Sequence, residues 1–300
     1  MKIAIIILNW NQAQETLECL HSVSSISFPN YEIILVDNGS KEGNPQQFQQ
    51  AYPDIHLIRN EKNLGFAEGN NRGIAYALER GADAVFLLNN DARVDPTILT
   101  AFKEATDLHP DAGVFGAKIY FYEEPTLLWY TGGEVDVSMG RCCHKGCMEW
   151  DLEKKWETIT DTGYACGCAL FIRADVIRKV GMMDPRYFLI WEEIDWCWRI
   201  RQAGYRCLFV PKARVWHKIS VSFEGGHRGP QWFYFYWRNR MLFFKDHYPS
   251  FLQSSVFWKQ LAGLVVDCIH PRSDKKKKQQ SRASFHGVID YYRGKFGPRP

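Results

Sequence analysis

The residues of this chain best placed to do chemistry are carboxylates at two points. The first is Asp91, within the stretch 84–96, AVFLLNNDARVDP, where five apolar residues run straight into Asn89, Asn90 and Asp91. This is the pattern of a buried strand that delivers a lone carboxylate into a loop just before a helix starts. In an open α/β sheet, ligands bind outside the carboxyl ends of the strands. A carboxylate there can handle a metal or a phosphate, or it can simply cap a turn. The second point is the passage 187–201, YFLIWEEIDWCWRIR, with Glu192, Glu193 and Asp195 at its start. Acids in a first helical turn are favoured by the helix dipole, and Asp195 stands four residues before Arg199, the spacing of an intrahelical ion pair.

The elements that must position these groups alternate regularly. Residues 3–8 are continuously apolar, as a strand buried on both faces would be. Residues 14–26 place Leu17, Leu20, Val23 and Ile26 on one helical stripe. Residues 32–36 form a second strand pattern ending at Asp37-Asn38-Gly39-Ser40, followed by a Gln-rich helix over about 45–51 and a shorter strand over 55–59. Residues 63–80 begin with Asn and Gly and end as a helix with Ile74, Ala75 and Leu78 on its apolar face. Repeated βα units with short connections imply a mostly parallel sheet. Its polar strand ends, Asn9-Trp10-Asn11, Asp37-Asn38-Gly39 and Asn89-Asn90-Asp91, then converge on one edge. Asn63-Leu64-Gly65, Asn70 and Asn71 join them there. That edge is the place for a nucleotide. Neither GxxxxGK[ST] nor a GxGxxG after the first strand is present. Gly65, Gly69 and Gly73, spaced by four, are suited to letting a helix N-terminus and its packing face approach a neighbour closely.

The second half reads differently. Strand patterns cover 114–122, 168–172 and 206–210, with 213–216 extending or pairing with the last. A short helix covers 175–180, and the Gly- and Cys-rich 130–148 is a loop or hairpin. From Gln231 the chain turns helical, aromatic and basic (WFYFYWRNRMLFFKDHYP). A further helical stretch follows over 251–269, then the run Lys275–Lys278. We expect a packed C-terminal layer that also rests peripherally on an anionic membrane.

The 300 residues, 46% hydrophobic and 24% charged, suit a globular α/β chain with a sizeable core. A net charge of +3 does not argue for a nucleic-acid partner. The apolar run at 3–8 is too short for a secretory signal, and no run approaches the ~20 apolar residues of a membrane span. A cytoplasmic location is expected, with the odd count of nine cysteines in agreement. Cys142, Cys143, His144 and Cys147 could suggest a zinc knuckle. Adjacent cysteines are poor bidentate partners, however, and no second pair follows at finger spacing, so they read as reduced thiols.

Six segments in order, ILNWNQAQETLECLHSV, EIILVDNGS, NEKNLGFAEGNNRGI, FLLNNDARVDP, GCALFIRADVIRKVGMMDPRYFLIWEEIDWCWRIRQAGY and VWHKIS, give residues 1–245 a resemblance to family 2 glycosyltransferases of the GT-A fold. The bacterial rhamnosyltransferase-like enzymes of polysaccharide assembly are the subgroup most resembled. The resemblance implies a Rossmann-like α/β domain, mostly parallel with flanking helices, over 1–230. Within it, 1–115 would be the nucleotide-binding half and 116–230 the acceptor-binding, catalytic half. A C-terminal helical region would occupy 231–300.

The resemblance also implies roles for single residues. Leu8, Asn9 and Asn11 would contact the nucleotide with Glu15 nearby, and Asp37 would hold the base or ribose, supported by Asn38. Asn63, Gly65 and Asn70 would line the nucleoside and diphosphate. Asn89-Asn90-Asp91 matches the family's DxD position, with Asn for the first Asp. Asp91 would ligate Mg²⁺ or Mn²⁺, Asn89 would face the donor sugar, and His217 would complete the metal site. Glu192 to Asp195 falls at the acidic motif that supplies the base. Glu193 aligns with the family's Asp and is our first choice, ahead of Asp195 and then Glu192. Phe188 and Trp191 could form an aromatic platform for the acceptor. Arg238 or Arg240 could meet the diphosphate or a lipid headgroup.

The chemistry so implied is an inverting transfer from a nucleotide sugar, dTDP-rhamnose or another UDP, GDP or dTDP sugar, to a glycan or lipid-linked acceptor. A divalent cation would neutralise the leaving diphosphate, and a carboxylate would take the acceptor's proton. Two other classes compete. A sugar nucleotidyltransferase would be expected to carry a Gly-rich, basic phosphate loop, and Asn9-Trp10-Asn11-Gln12 has neither glycine nor base. A non-catalytic nucleotide-sugar-binding protein could dispense with Asp91, the acidic cluster or His217, and all are present.

Overall fold

Valine, isoleucine and leucine fill the runs that become the central strands, and those strands are buried on both faces. A computed structural model describes residues 1–43, 45–152, 155–218, 229–270 and 274–299. The first half runs β1 (Ile3–Asn9), α1 (Ala13–Ser24), β2 (Tyr31–Asp37), α2 (Gln46–Ala51), β3 (His56–Arg59), α3 (Gly65–Glu79) and β4 (Ala84–Asn89). Then come β5 (Ala92–Val94), α4 (Ile98–Leu108), β6 (Ala112–Phe121), β7 (Leu128–Tyr130), β8 (Gly133–Asp136), β9 (Arg141–His144) and β10 (Thr160–Asp161). The rest is β11 (Ala169–Arg173), α5 (Ala174–Val180), α6 (Glu192–Gln202), β12 (Arg206–His217), α7 (Pro230–His247), α8 (Pro249–Gln253), α9 (Ser255–Ile269) and α10 (Lys275–Tyr292).

Among the described residues, ten strands form one mixed sheet whose main path is β10-β12-β6-β11-β4-β1-β2-β3. The stretch β3-β2-β1-β4 is parallel throughout. β11 inserts antiparallel between β4 and β6, and β12 runs parallel to β6. The register sets Asn9 beside Asp37 and Leu8 beside Asn89, so the three polar strand ends do meet on one edge. The strand order reverses between β1 and β4, where a crevice for a ligand is expected in such sheets.

The 130–148 region becomes the β8–β9 hairpin. The apolar core is continuous from β1 through α7 to Val288 of α10, so the C-terminal helices share it. Among the described residues no helix is long and apolar enough to cross a membrane.

Candidate active site

The short strand β5 accounts for the first contact. It pairs antiparallel with the end of β12, placing His217 opposite Ala92 and so beside Asp91. The His217 Nε2 lies 3.0 Å from Asp91 Oδ1, and both side chains are buried. Beyond that contact Asp91 Oδ1 makes no hydrogen bond, and His217 Nδ1 has no hydrogen-bond partner. Buried polar atoms left short of partners cost free energy unless something meets them. An oxygen and an imidazole nitrogen side by side suit Mn²⁺, and Mg²⁺ by the carboxylate. These residues therefore fit the divalent cation that the resemblance implies. Among the described residues no cluster of three or more His, Cys, Asp or Glu side chains could hold a metal, so substrate oxygens or water would have to complete the shell. The Trp129 ring sits 4.8 Å from the His217 ring, an aromatic neighbour that the sequence reading did not single out.

The strand-end asparagines turn inward. Asn9 donates to Asp37 Oδ1 at 2.9 Å and accepts from Thr16 Oγ1 at 2.9 Å. Asn90 donates to the same Thr16 hydroxyl. Asn38 donates to Asn63 Oδ1 and to the Gly65 carbonyl, and its own oxygen accepts from Asn60 and from the Leu64 N–H. Asn70 donates to the Phe66 carbonyl within α3. Asn11, in the left-handed region at φ +55°, accepts from the Lys41 N–H. These amides fasten the loops to one another. Asn89 lies nearer the cation site, with Nδ2 3.4 Å from His217 Nε2. Glu15 is held by Lys218 at 2.8 Å and by Arg93.

Gly65 has a structural reason for its identity. Its φ is +82°, and a Cβ there would come within 2.4 Å of the Phe188 carbonyl oxygen. That oxygen accepts from the Phe66 N–H at 2.6 Å, the first turn of α3. The turn before α6 is thereby fixed against the start of α3.

Glu192 and Glu193 open α6. Glu192 is buried, and Glu193 is partly exposed with its Oε2 sealed from solvent. Neither Glu192 Oε2 nor Glu193 Oε2 has a hydrogen-bond partner. Desolvation is the main cause that pushes the Glu193 carboxyl up to about 7, while the N–H groups of Glu193, Gly167 and Ile194 pull the other way. Burial, with the charge of Glu193 behind it, holds Glu192 well above the usual carboxylate range. The loop 166–168 lies between the two acidic centres: Cys168 accepts from the Asn89 N–H at 2.9 Å, and the Gly167 N–H lowers the proton affinity of Glu193.

Asp195 is placed otherwise. Its carboxylate takes Arg199 Nε at 2.8 Å, His247 Nε2 at 2.7 Å and the Tyr187 hydroxyl at 3.3 Å. Burial raises its proton affinity, but the His247 and Arg199 partners outweigh that and leave it below the usual value. It is an acid occupied in fastening α6 to α7.

Two other expectations are corrected. Arg238 and Arg240 are buried. Arg238 donates to the carbonyls of Arg186, Tyr187 and Gly297, and Arg240 to Met139 and Gln260, which leaves neither guanidinium facing a diphosphate or a headgroup. Trp191 is fully buried and packs against Tyr236, Phe243 and Phe244, and Phe188 stacks on Phe235. These rings are core, and no aromatic platform forms from them. The last two residues of the VWHKIS segment lie outside the described residues.

Residues 4–181 match the family model described as Glycosyl transferase family 2. An N-acetylglucosaminyl-diphospho-decaprenol L-rhamnosyltransferase of Mycobacterium tuberculosis is 28% identical over 68% of this chain and 71% of its own length. A dTDP-rhamnosyl transferase, RfbF, of Shigella flexneri is 23% identical over 96% of this chain and 95% of its own. Among solved structures, the mannosyltransferase PcManGT of Pyrobaculum calidifontis, in complex with GDP-Man and Mn²⁺, superposes with a TM-score of 0.63 at 14% identity, over 98% of this chain and 88% of that one. GalNAc-T7 with UDP, GalNAc and Mn²⁺ has the same TM-score at 16% identity; the chain, 97% covered, spans about half (55%) of that protein. These superpositions establish the GT-A fold. With more than half of its length matched by the family model, on that fold, the chain belongs to glycosyl transferase family 2.

Proposed function

We propose that the protein is an inverting, metal-dependent glycosyltransferase with dTDP-rhamnose as the donor to test first and a glycan or lipid-linked glycan hydroxyl as acceptor. The observation that carries this reading is Glu193: a carboxylate with a sealed, unpartnered oxygen and a proton affinity near neutrality, one loop away from the strand-end carboxylate Asp91. Asp37, Asn63 and Asn89 face the donor, while Asn9, Asn11, Asn38, Gly65, Asn70 and Asn90 hold the loops that present them.

Glu193 takes the proton of the acceptor hydroxyl as its oxygen bonds to the anomeric carbon. The bond from that carbon to the diphosphate oxygen breaks in the same displacement, so the configuration inverts. General-base help of this kind is worth ~10²–10⁴-fold. Mg²⁺ or Mn²⁺ held by Asp91 and His217 would neutralise the departing diphosphate. Asp195 keeps α6 in place through His247 and Arg199.

The test is a donor screen with Mn²⁺ or Mg²⁺, reading nucleoside diphosphate release. Asp91→Ala should abolish the metal-dependent release; release unaffected by that change sinks the metal assignment. Glu193→Gln should lower transfer by about 10²-fold or more with nucleotide binding intact. Pyrophosphate formation from a nucleoside triphosphate and a sugar phosphate would instead support a nucleotidyltransferase.

The proposal includes a peripheral contact with the cytoplasmic face of a membrane. The outer side of α9 leaves Trp258, Val265 and Val266 exposed at 53%, 42% and 52%. Lys275, Lys276 and Lys277 are exposed at the start of α10, and Lys277 pairs with Asp267 of α9 at 2.8 Å. An apolar helix face beside a lysine cluster suits an anionic lipid surface.

A further inference from the structure

The turn that leads into the acid pair is strained and is held from outside. Phe188, Ile190 and Trp191 all lie in the left-handed region, at φ +64°, +72° and +81°. For residues of this bulk such conformations cost about 1–3 kcal/mol each and persist only where the surroundings over-determine them. Trp191 is the residue from which α6 starts, so its backbone sets where Glu192 and Glu193 point.

The surroundings that impose this turn come from the middle of α7. Asn239, fully buried, directs its Nδ2 at three carbonyls of the turn. It lies 2.7 Å from Tyr187 O, 2.8 Å from Leu189 O and 2.7 Å from Ile190 O. The neighbouring Arg238 donates from Nη2 to Tyr187 O at 2.7 Å and from Nε to Asn239 Oδ1 at 2.9 Å. That last bond fixes which way the amide faces, because Arg has only donors and must meet the oxygen. The amide nitrogen is thereby left for the turn. On the far side of the turn, Phe188 O is held by the Phe66 and Ala67 N–H groups of α3. An apolar helix spends two buried polar residues on one turn, and burying them is costly unless every group is met.

We infer that Asn239 is a positioning residue for transfer: oriented by Arg238, it holds the 187–191 turn in its left-handed form and so sets the Glu193 carboxylate against the acceptor hydroxyl. This rests on the reading of Glu193 as the base. It gives α7, which lies beyond the region matched by the family model, a part in the chemistry although none of its side chains need touch substrate.

Asn239→Asp is the direct test, because it keeps the shape and replaces the donor NH₂ by an oxygen facing three carbonyls. We expect kcat to fall on the order of 10²-fold, the scale at which a misplacement of about 1 Å is felt. The donor KM and the affinity for nucleoside diphosphate with Mn²⁺ should stay within about threefold. Added to Glu193→Gln, the same change should lower the residual kcat by less than about twofold, since two residues acting as one unit do not multiply. Ile190→Gly in the Asn239→Asp background should recover about tenfold in kcat, because glycine takes a positive φ without the side-chain penalty. A parent-like kcat in Asn239→Asp overturns the inference, and so does a loss that multiplies with that of Glu193→Gln. If Asn239→Asp does not fold, Arg238→Lys, which lacks the Nε donor that orients the amide, is put through the same measurements with a smaller loss expected. The base assignment is judged separately: parent-rate transfer by Glu193→Gln alone removes it, whatever Asn239→Asp does.

Discussion

Glu193 carries opposed demands. Desolvation raises its proton affinity against the pull of three backbone N–H groups, and the proposed base must be deprotonated to work. The groups facing it are Glu192, Cys166 and Tyr164. Burial raises the Cys166 thiol and the Tyr164 hydroxyl, so both are neutral at pH 7 and Glu192 is the titrating neighbour. We therefore expect kcat to climb as pH rises through about 7 and to level off above pH 8, with the climb absent in Glu193→Gln. Stability should run the other way. A carboxyl whose proton affinity is higher in the folded chain than in the unfolded one stabilises fully below the unfolded value of about 4.5, and that contribution is lost as pH rises through about 7. Glu193→Gln should thus raise the melting temperature at pH 8 and leave it almost unchanged near pH 4.5, read by thermal denaturation at both. Sequence spacing was enough to bring Glu192, Glu193 and Asp195 to one helix start. It could not separate them, because Asp195 is distinguished by His247, fifty-two residues away, and Glu193 by a loop at Gly167.

At the scale of elements, the βα alternation of the first half was legible because each strand is a plain apolar run and each helix an amphipathic stripe. The insertion of β11 antiparallel between β4 and β6 was not, since strand direction is decided by the partner and leaves no local mark. β5 was hidden too: Ala92–Val94 is three residues long, yet its pairing with β12 is what brings His217 to Asp91. The Arg-Asn-Arg run inside an apolar helix was a signal available in the sequence. Buried polar residues need partners, and here the partner of Asn239 is the turn before α6. The packing of α3 on that turn makes a separate prediction. Gly65→Ala combines a positive φ with a Cβ 2.4 Å from Phe188 O, whereas Gly81→Ala has a similar φ of +76° and nothing within 4 Å. Gly81→Ala should cost about 1 kcal/mol and Gly65→Ala distinctly more, about 2–4 kcal/mol, measured as the shift in urea midpoint.

Over the whole molecule, the sheet and the C-terminal helices are one packed body, with Trp237, Met241, Phe257 and Val288 in the same core as β1. The division at residue 230 that the sequence suggested marks a change of composition; α7 starts there at Pro230, but the core crosses it. What the C-terminal region leaves outside that core is the α9 face, and this has its own test. Trp258→Glu with Val266→Glu should weaken binding to vesicles containing phosphatidylserine by about tenfold or more, read by co-sedimentation, with nucleotide binding unchanged. Parent-like binding of the double variant would show that the face is not what meets the lipid.

The seat of Phe188 on α3 has one more consequence, in the distribution of charge. A helix N-terminus is ordinarily a ready site for a phosphate, because its first N–H groups point outward without partners. At α3 those groups are already spent: the Gly65 N–H on Asn63, and the Phe66 and Ala67 N–H groups on Phe188. The dipole of α3 is thus directed at a peptide carbonyl of the turn before α6. Under the proposed function, the two negative phosphates of a donor would then lean on a divalent cation held by Asp91 and His217. On that reading the ionic composition of the surrounding solution would become a working part of the enzyme, and chelators should weaken the grip on nucleoside diphosphate as well as slow the transfer.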